Sequence, residues 1–117
     1  MFRFNNGLKV YLHRDPVDFR AGINGLSILV EQAMALNPMA QALYVFGNRR
    51  RDRIKILAWD RVGFWLLTKR LDTDHFVWPP DGANVIELSV DQLHWLLDGI
   101  DLTTLRKHPQ RYYARVS

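Results

Sequence analysis

Alternating apolar and polar positions mark the strands of this chain. Side chains of a half-buried strand point to solvent at every second position, so a period of two predicts a strand. Asp15-Pro16 ends the first of these stretches, because proline removes a backbone donor. The predicted strands are Leu8–Leu12, Ala42–Phe46, Arg53–Trp59, Phe64–Leu71 and Val85–Leu88, with Phe76–Trp78 as a candidate edge strand stopped by Pro79-Pro80.

Short loops join the three central strands. Gly47–Asp52 connects the second strand to the third, and Asp60–Gly63 is a tight turn with glycine at its last position. Connections this short favour antiparallel neighbours. The sequence therefore predicts an antiparallel three-stranded meander at the centre of the sheet.

A helical period replaces the strand period between the first two strands. Apolar residues recur there at helical spacing, which predicts an amphipathic helix from an N-cap at Asp18 to about Leu36, before Asn37-Pro38. The apolar stripe of this helix is Phe19, Ile23, Leu26, Val30 and Ala33 or Met34.

A second helix carries the clearest local signal in the chain. Ser89 followed by Gln92 is a capping box, Leu88 with Leu93 is the matching hydrophobic staple, and Gly99 is a helix stop. The predicted buried stripe is Leu93, Leu96, Leu97 and Ile100.

These elements predict an α+β fold with one domain. Two main helices pack on one antiparallel sheet of four to five strands, built around the central meander. We expect the domain to span residues 1–104 and residues 105–117 to form a basic, loosely ordered C-terminal tail.

Charge is segregated along the chain. The 117 residues carry a net charge of +4 and no cysteine, which excludes disulfides and thiolate metal sites. Residues 48–70 hold eight Lys or Arg against two Asp, whereas residues 71–105 hold seven acidic residues and no Lys or Arg. Because no stretch has the length and apolar character of a signal peptide or a membrane span, we expect a cytoplasmic protein without a membrane partner.

The basic segment is the candidate functional site. The strand that ends at Lys69 and Arg70 returns beside the strand that starts at Arg53, so charges distant in sequence converge at one end of the sheet. Crowded like charges are costly unless an anion neutralises them, and arginine binds phosphate with two parallel hydrogen bonds. The predicted nucleic-acid-binding residues are Arg49, Arg50, Arg51, Arg53, Lys55, Lys69 and Arg70.

Three alternatives stay open. The basic hairpin tip could be solvated and serve only solubility. The basic end could instead dock on an acidic face of a protein partner, including the acidic segment of a second copy. Asp72, Asp74 and Asp81 could hold Mg²⁺ as in a nuclease, although aspartates in a turn region are commonly solvated. The four histidines show no ligand spacing, and His94 is expected on the surface of its helix. No cofactor and no catalytic residue are predicted.

The segment Asp18–Leu26 resembles the D-x-R-x-G-x-x-G-L signature of the second open reading frame of insertion sequence 66 elements, called TnpB. The resemblance continues through Val45–Leu57, Trp59–Leu71, Phe76–Pro79 and Leu88–Asp101. The chain departs from the family at Ala21, where relatives usually carry lysine, and after Thr103.

This resemblance implies an accessory, non-catalytic role in transposition. The expected partners are nucleic acid, with DNA the expected form, and the other transposition proteins of the same element, whose separate transposase cuts and joins the DNA. Oligomers are possible. Nucleic-acid binding itself is predicted from the charge pattern, since the resemblance supplies no biochemical activity.

Overall fold

A computed structural model of the protein describes residues 4–80 and 82–102. The strands are β1 (Lys9–His13), β2 (Ala42–Gly47), β3 (Arg53–Trp59), β4 (Phe64–Arg70) and β5 (Val85–Leu88), and the helices are α1 (Ile23–Gln32) and α2 (Val90–Leu97). The chain therefore has the α+β class predicted from its sequence, with five strands and two helices. The predicted tail, residues 105–117, lies outside the described residues.

The five strands form one mixed sheet in the order β4-β3-β2-β1-β5. The central meander is confirmed, because β2 pairs antiparallel with β3 and β3 pairs antiparallel with β4. The expectation of a wholly antiparallel sheet is wrong at one place, where β1 and β2 are parallel. The physical reason is that α1 lies between β1 and β2 in the chain. As a crossover connection, it carries the chain back to the end of the sheet where β1 begins, so β2 runs in the same direction as β1.

Apolar residues cover both faces of this sheet. On one face α2 packs over residues that include Val10, Leu12 and Ile54, and on the other α1 packs over Tyr44, Phe46 and neighbouring residues. Adjacent residues of each strand therefore face different cores, which is why β2 is buried at all of its positions.

Helix α1 is shorter than predicted. Its N-cap is Gly22, and it ends at Gln32 instead of near Leu36. The predicted N-cap was wrong because Asp18 makes a local turn instead. Its carboxylate accepts the backbone N–H of Arg20 at 2.9 Å and pairs with that residue's guanidinium at 2.6 Å. The N-cap was predicted one turn too early, because the side chain of Asp18 stabilises the loop before the helix and not the first turn of the helix.

The capping box of α2 is confirmed in full. The Ser89 side chain accepts the backbone N–H of Gln92 at 3.0 Å, and the Gln92 side chain accepts the backbone N–H of Ser89 at 2.8 Å. Gly99 follows the helix with a φ of +82°, where glycine has no steric cost. Leu93 and Leu96 are buried as predicted, whereas Ile100 is exposed.

Loss of this cap gives a first test of the fold. We expect Ser89→Ala to lower the free energy of unfolding by about 1 kcal/mol, because the backbone N–H of Gln92 loses its acceptor. Chemical denaturation of both proteins measures the difference. Ser89→Thr, which keeps the hydroxyl, is the control. An unchanged midpoint for Ser89→Ala would show that this box contributes nothing to stability.

Two further expectations about the C-terminal half are corrected. His94 is buried, with 7% of its surface exposed, and its Nε2 accepts the backbone N–H of Phe4 at 3.2 Å. Phe76–Trp78 is not a strand. Its residues are held by single long-range bonds, from the N–H of Phe76 to the carbonyl of Arg51 and from the indole of Trp78 to the carbonyl of Arg14. Tertiary contacts thus override the strand pattern of this short apolar run.

Within residues 4–80 and 82–102, no helix has both the length and the apolar character needed to cross a membrane.

Candidate nucleic-acid interface

Asn48 organises the basic loop between β2 and β3. Its side-chain oxygen accepts the backbone N–H groups of Asp52 and Arg53, both at 3.1 Å, and its amide donates to the Asp52 carboxylate at 2.6 Å. This bond from Asn48 lowers the pKa of Asp52. Asn48 is not among the residues predicted for this site, although an asparagine at the start of a polar loop is a usual turn-forming signal.

Arg51 is turned inward, away from the other arginines of the loop. Its backbone has a φ of +61°, and its guanidinium lies 4.9 Å from the centre of the Trp78 ring. Nη2 donates to the carbonyl of Arg14 at 3.3 Å, while Nη1 is buried without a hydrogen-bond partner in the described part of the chain. Desolvation lowers the pKa of Arg51. This side chain therefore supports the loop from beneath.

Gly47 makes room for that inward turn. A Cβ at this position would lie 2.9 Å from Nη1 of Arg51 and 3.1 Å from the Trp78 ring, closer than such contacts normally come. The glycine at the end of β2 is thus explained by the close approach of two side chains.

Both lysines of the predicted site have partners within the protein. The ammonium of Lys55 donates to the carbonyls of Phe19 and Ala21, at 2.8 and 2.9 Å, and holds the segment before α1. The ammonium of Lys69 donates to the carbonyl of Leu97 at 2.7 Å, at the C-terminal end of α2, where a positive charge is favourable. These contacts give both lysines a structural role.

Arg53 and Arg70 lie directly opposite each other in the β3–β4 ladder. The predicted convergence of the two strand ends is therefore present. Lys69, however, is opposite Ile54 and on the other face of the sheet, because neighbouring strand residues point to opposite sides. Arg70 has an ion pair with Asp72 at 3.2 Å, in which both side chains are largely exposed.

Three arginines of this end remain exposed to solvent. The side chains of Arg49, Arg50 and Arg53 make no hydrogen bond or ion pair with any residue that the structure describes. Pro16–Phe19 and Asn48–Arg50 line an open cleft of about 410 Å³ beside them. The carboxylate of Asp18 lines this cleft and forms an ion pair with the guanidinium of Arg20. The hydrogen bond from Arg20 lowers the pKa of Asp18 to about 2. The arrangement presents a cationic surface suited to an extended anion.

The acidic residues weighed as a metal site are differently placed. Asp72 and Asp74 are exposed, and Asp72 pairs with Arg70. In the described ranges no group of three or more His, Asp or Glu could hold a metal ion. Asp81 lies outside them.

The fold and this site define a small, single-domain α+β protein that presents arginines at one end of its sheet. A family model described as IS66 Orf2 like protein matches residues 8–107. The chain therefore belongs to the IS66 Orf2-like family, accessory proteins of insertion sequences that serve transposition.

Two relatives match nearly the full length of this chain. The chain is 33% identical to the uncharacterized protein y4jC of Sinorhizobium fredii, over 97% of each chain. It is 36% identical to the uncharacterized protein y4hO of the same organism, over 94% of this chain and 92% of that protein. No solved structure matches it.

A thymidylate kinase of Nitrosomonas europaea is 29% identical over 79% of this chain and 43% of that protein. The present sequence has no G-x-x-x-x-G-K phosphate loop, the element that cradles nucleotide phosphates in P-loop enzymes.

Proposed function

We propose that this protein is a non-catalytic accessory factor that binds the phosphate backbone of nucleic acid through the arginines beside the β2–β3 loop. The observation that carries the proposal is the set of exposed arginines without an internal partner. The contacting residues are these three, Arg49, Arg50 and Arg53, together with Arg70, whose pair with Asp72 is exposed to solvent. Arg51, Lys55 and Lys69, which were also predicted from the sequence, have structural roles in this proposal.

Electrostatics supports an anionic ligand at this end of the sheet. Arg53 and Arg70 face each other across neighbouring strands, an arrangement of like charges that costs stability. A phosphate between them would remove that cost and accept hydrogen bonds from both guanidinium groups. Asp72 offsets only part of the charge, because its pair with Arg70 is exposed to solvent and screened by salt.

Phosphate contacts fix the position of a protein on DNA without reading its sequence. We therefore expect similar affinity for duplexes of different sequence. This role fits an accessory factor that holds element DNA for a separate transposase. Docking of the basic end on an acidic protein surface is the competing use of the same charges.

Titration of DNA binding against salt tests the proposal. With about four phosphates neutralised, the logarithm of the binding constant should fall with the logarithm of salt concentration with a slope of about −3.6. Duplexes of element-end and scrambled sequence should give equal slopes. The same complexes supplied with Mg²⁺ or Mn²⁺ should leave the DNA uncut.

Three results would contradict this function. Absence of binding at low salt, together with salt-sensitive retention of the protein by the transposase, would favour docking on a protein. A strong preference for element ends would require base contacts. Nicking that is lost in Asp72→Ala or Asp74→Ala would show that the protein is a nuclease.

A further inference from the structure

Strand β4 is a long sheet edge with an unpaired side. It is the outermost strand of the sheet, and none of the strands formed by residues 4–80 and 82–102 covers its outer edge. Its seven residues pair with β3 without interruption from Phe64 to Arg70, so no bulge twists the edge away. Trp65 stands on this strand with 58% of its surface exposed. Proteins usually shorten, bend or cover such edges, because they pair readily with other strands.

The hydrogen-bond pattern identifies which backbone groups face outward. At one end of the β3–β4 ladder the backbone N–H of Asp60 donates a hydrogen bond to the carbonyl of Gly63. At the other end the backbone N–H of Leu71 donates to the carbonyl of Asp52. Hydrogen-bonded pairs alternate with non-bonded pairs in an antiparallel ladder, and both ends fix the same alternation. The residues of β4 whose N–H and C=O groups point to the free edge are Phe64, Leu66, Thr68 and Arg70.

The edge is complementary to itself when reversed. The first half of β4 is apolar, and its last two residues are Lys69 and Arg70. When a second β4 pairs antiparallel with Leu67 opposite Leu67, the apolar half of each strand therefore lies beside the basic end of the other. Trp65 then lies opposite Lys69 of the second copy, and Phe64 opposite Arg70. Both pairings place a basic side chain opposite an aromatic ring, a favourable combination. Within its own chain Lys69 keeps its bond to the carbonyl of Leu97, and Arg70 keeps its ion pair with Asp72.

This register also keeps like charges apart and uses the whole edge. The basic ends of the two copies lie at opposite ends of the shared ladder. All four outward-facing residues find a hydrogen-bonding partner, because Phe64 meets Arg70 and Leu66 meets Thr68. A shift by two residues in either direction leaves outward groups of each strand unpaired. The pattern thus selects one register.

We propose that the protein forms a two-fold symmetric dimer in which β4 pairs antiparallel with β4 of a second copy, centred on Leu67. The two sheets then become one continuous sheet, with an arginine-bearing loop at each of two opposite ends. This pairing does not require nucleic acid, and Arg70 is the one residue that it shares with the proposed phosphate contacts.

The first experiment measures mass in solution without DNA. Light scattering across a concentration series should show a monomer–dimer equilibrium for the parent protein. Thr68→Pro should shift it to monomer, because proline removes an outward N–H while Thr68 makes no ladder bond to β3. Thr68→Ala, which keeps that N–H, should dimerise as the parent does. A monomeric parent at every concentration, or a dimeric Thr68→Pro variant, would overturn the proposal.

The second experiment tests the register through disulfides, since the natural chain has no cysteine. Directly opposite residues of a non-hydrogen-bonded pair have Cα atoms about 4.5 Å apart, within the range that a disulfide bridges. Leu67→Cys should therefore cross-link to itself on mild oxidation.

Edge positions further along the strand supply the matched controls. Trp65→Cys and Lys69→Cys should each remain uncross-linked alone, because identical positions lie roughly 13 Å apart in this register. A mixture of the two variants should cross-link. Self-cross-linking of Trp65→Cys equal to that of Leu67→Cys, or no cross-link in the mixture and in Leu67→Cys, would contradict the pairing.

Discussion

Replacement of Arg49, Arg50 and Arg53 together by alanine is expected to remove most of the affinity for DNA. With three of about four phosphate contacts gone, the slope of the salt dependence should flatten from about −3.6 to about −0.9. All sequences should be weakened alike, because phosphate contacts carry no sequence information. Fluorescence anisotropy with a labelled duplex at several salt concentrations measures both quantities.

The triple variant should fold as the parent does. The three side chains are exposed and bury little apolar area, so we expect little change in the melting temperature. Lys9→Ala with Arg61→Ala, which removes two positive charges where the triple variant removes three, is the control for net charge. Both residues are exposed at the other end of the sheet, since Lys9 pairs with the first residue of β2 and Arg61 lies in the β3–β4 turn. If the triple variant keeps the slope of the parent, the loop is not the binding surface.

Trp78→Ala is expected to have the largest effect on stability, a loss of about 3–5 kcal/mol. The indole is buried, stacks on the Arg51 guanidinium and donates to the carbonyl of Arg14 at 2.8 Å. Its removal leaves a cavity beneath the basic loop and deprives the inward guanidinium of its aromatic neighbour. Denaturation by urea, followed by circular dichroism, measures the difference.

A neighbouring substitution supplies the comparison. Val77 is partly exposed beside Trp78 in the chain, so Val77→Ala should change the free energy of unfolding by less than about 0.5 kcal/mol. Trp78→Phe keeps an aromatic ring and loses the indole bond, and we expect an intermediate loss. Equal stability of Trp78→Ala and the parent would show that this stack does not support the loop.

The positions of the charged residues show how far sequence patterns reach. The antiparallel meander was predictable from its short turns, and it correctly brought Arg70 beside Arg53. The same period of two places Lys69 and Arg70 on opposite faces of the sheet, so the sequence also contained the signal that separates Lys69 from the two arginines. The hydrogen bond from Lys69 to the carbonyl of Leu97 depends on where α2 packs against the sheet, and no local sequence pattern encodes that position.

Local chemistry determined several elements of this protein from the sequence alone. The Ser89–Gln92 box sets the start of α2, because its bonds join residues three apart. Strand β5 has the predicted bounds, Val85–Leu88, and the turn at Asp60–Gly63 sets the β3–β4 register. For the capping box and the turn, the determining contacts lie within a few residues of each other, so their energies depend little on the rest of the fold. The short apolar pattern of β5 was sufficient to predict its bounds, although its hydrogen bonds are completed by β1.

Only the tertiary structure decided which residues of the basic segment are available to a ligand. The side chain of Arg51 turns inward because its guanidinium packs on the ring of Trp78, which is distant in sequence. The ammonium of Lys55 donates hydrogen bonds to carbonyls of the segment before α1. The parallel pairing of β1 with β2 and the burial of His94 likewise result from long-range packing. The energy of such contacts comes from groups that folding alone brings together, so neither spacing nor composition could reveal them.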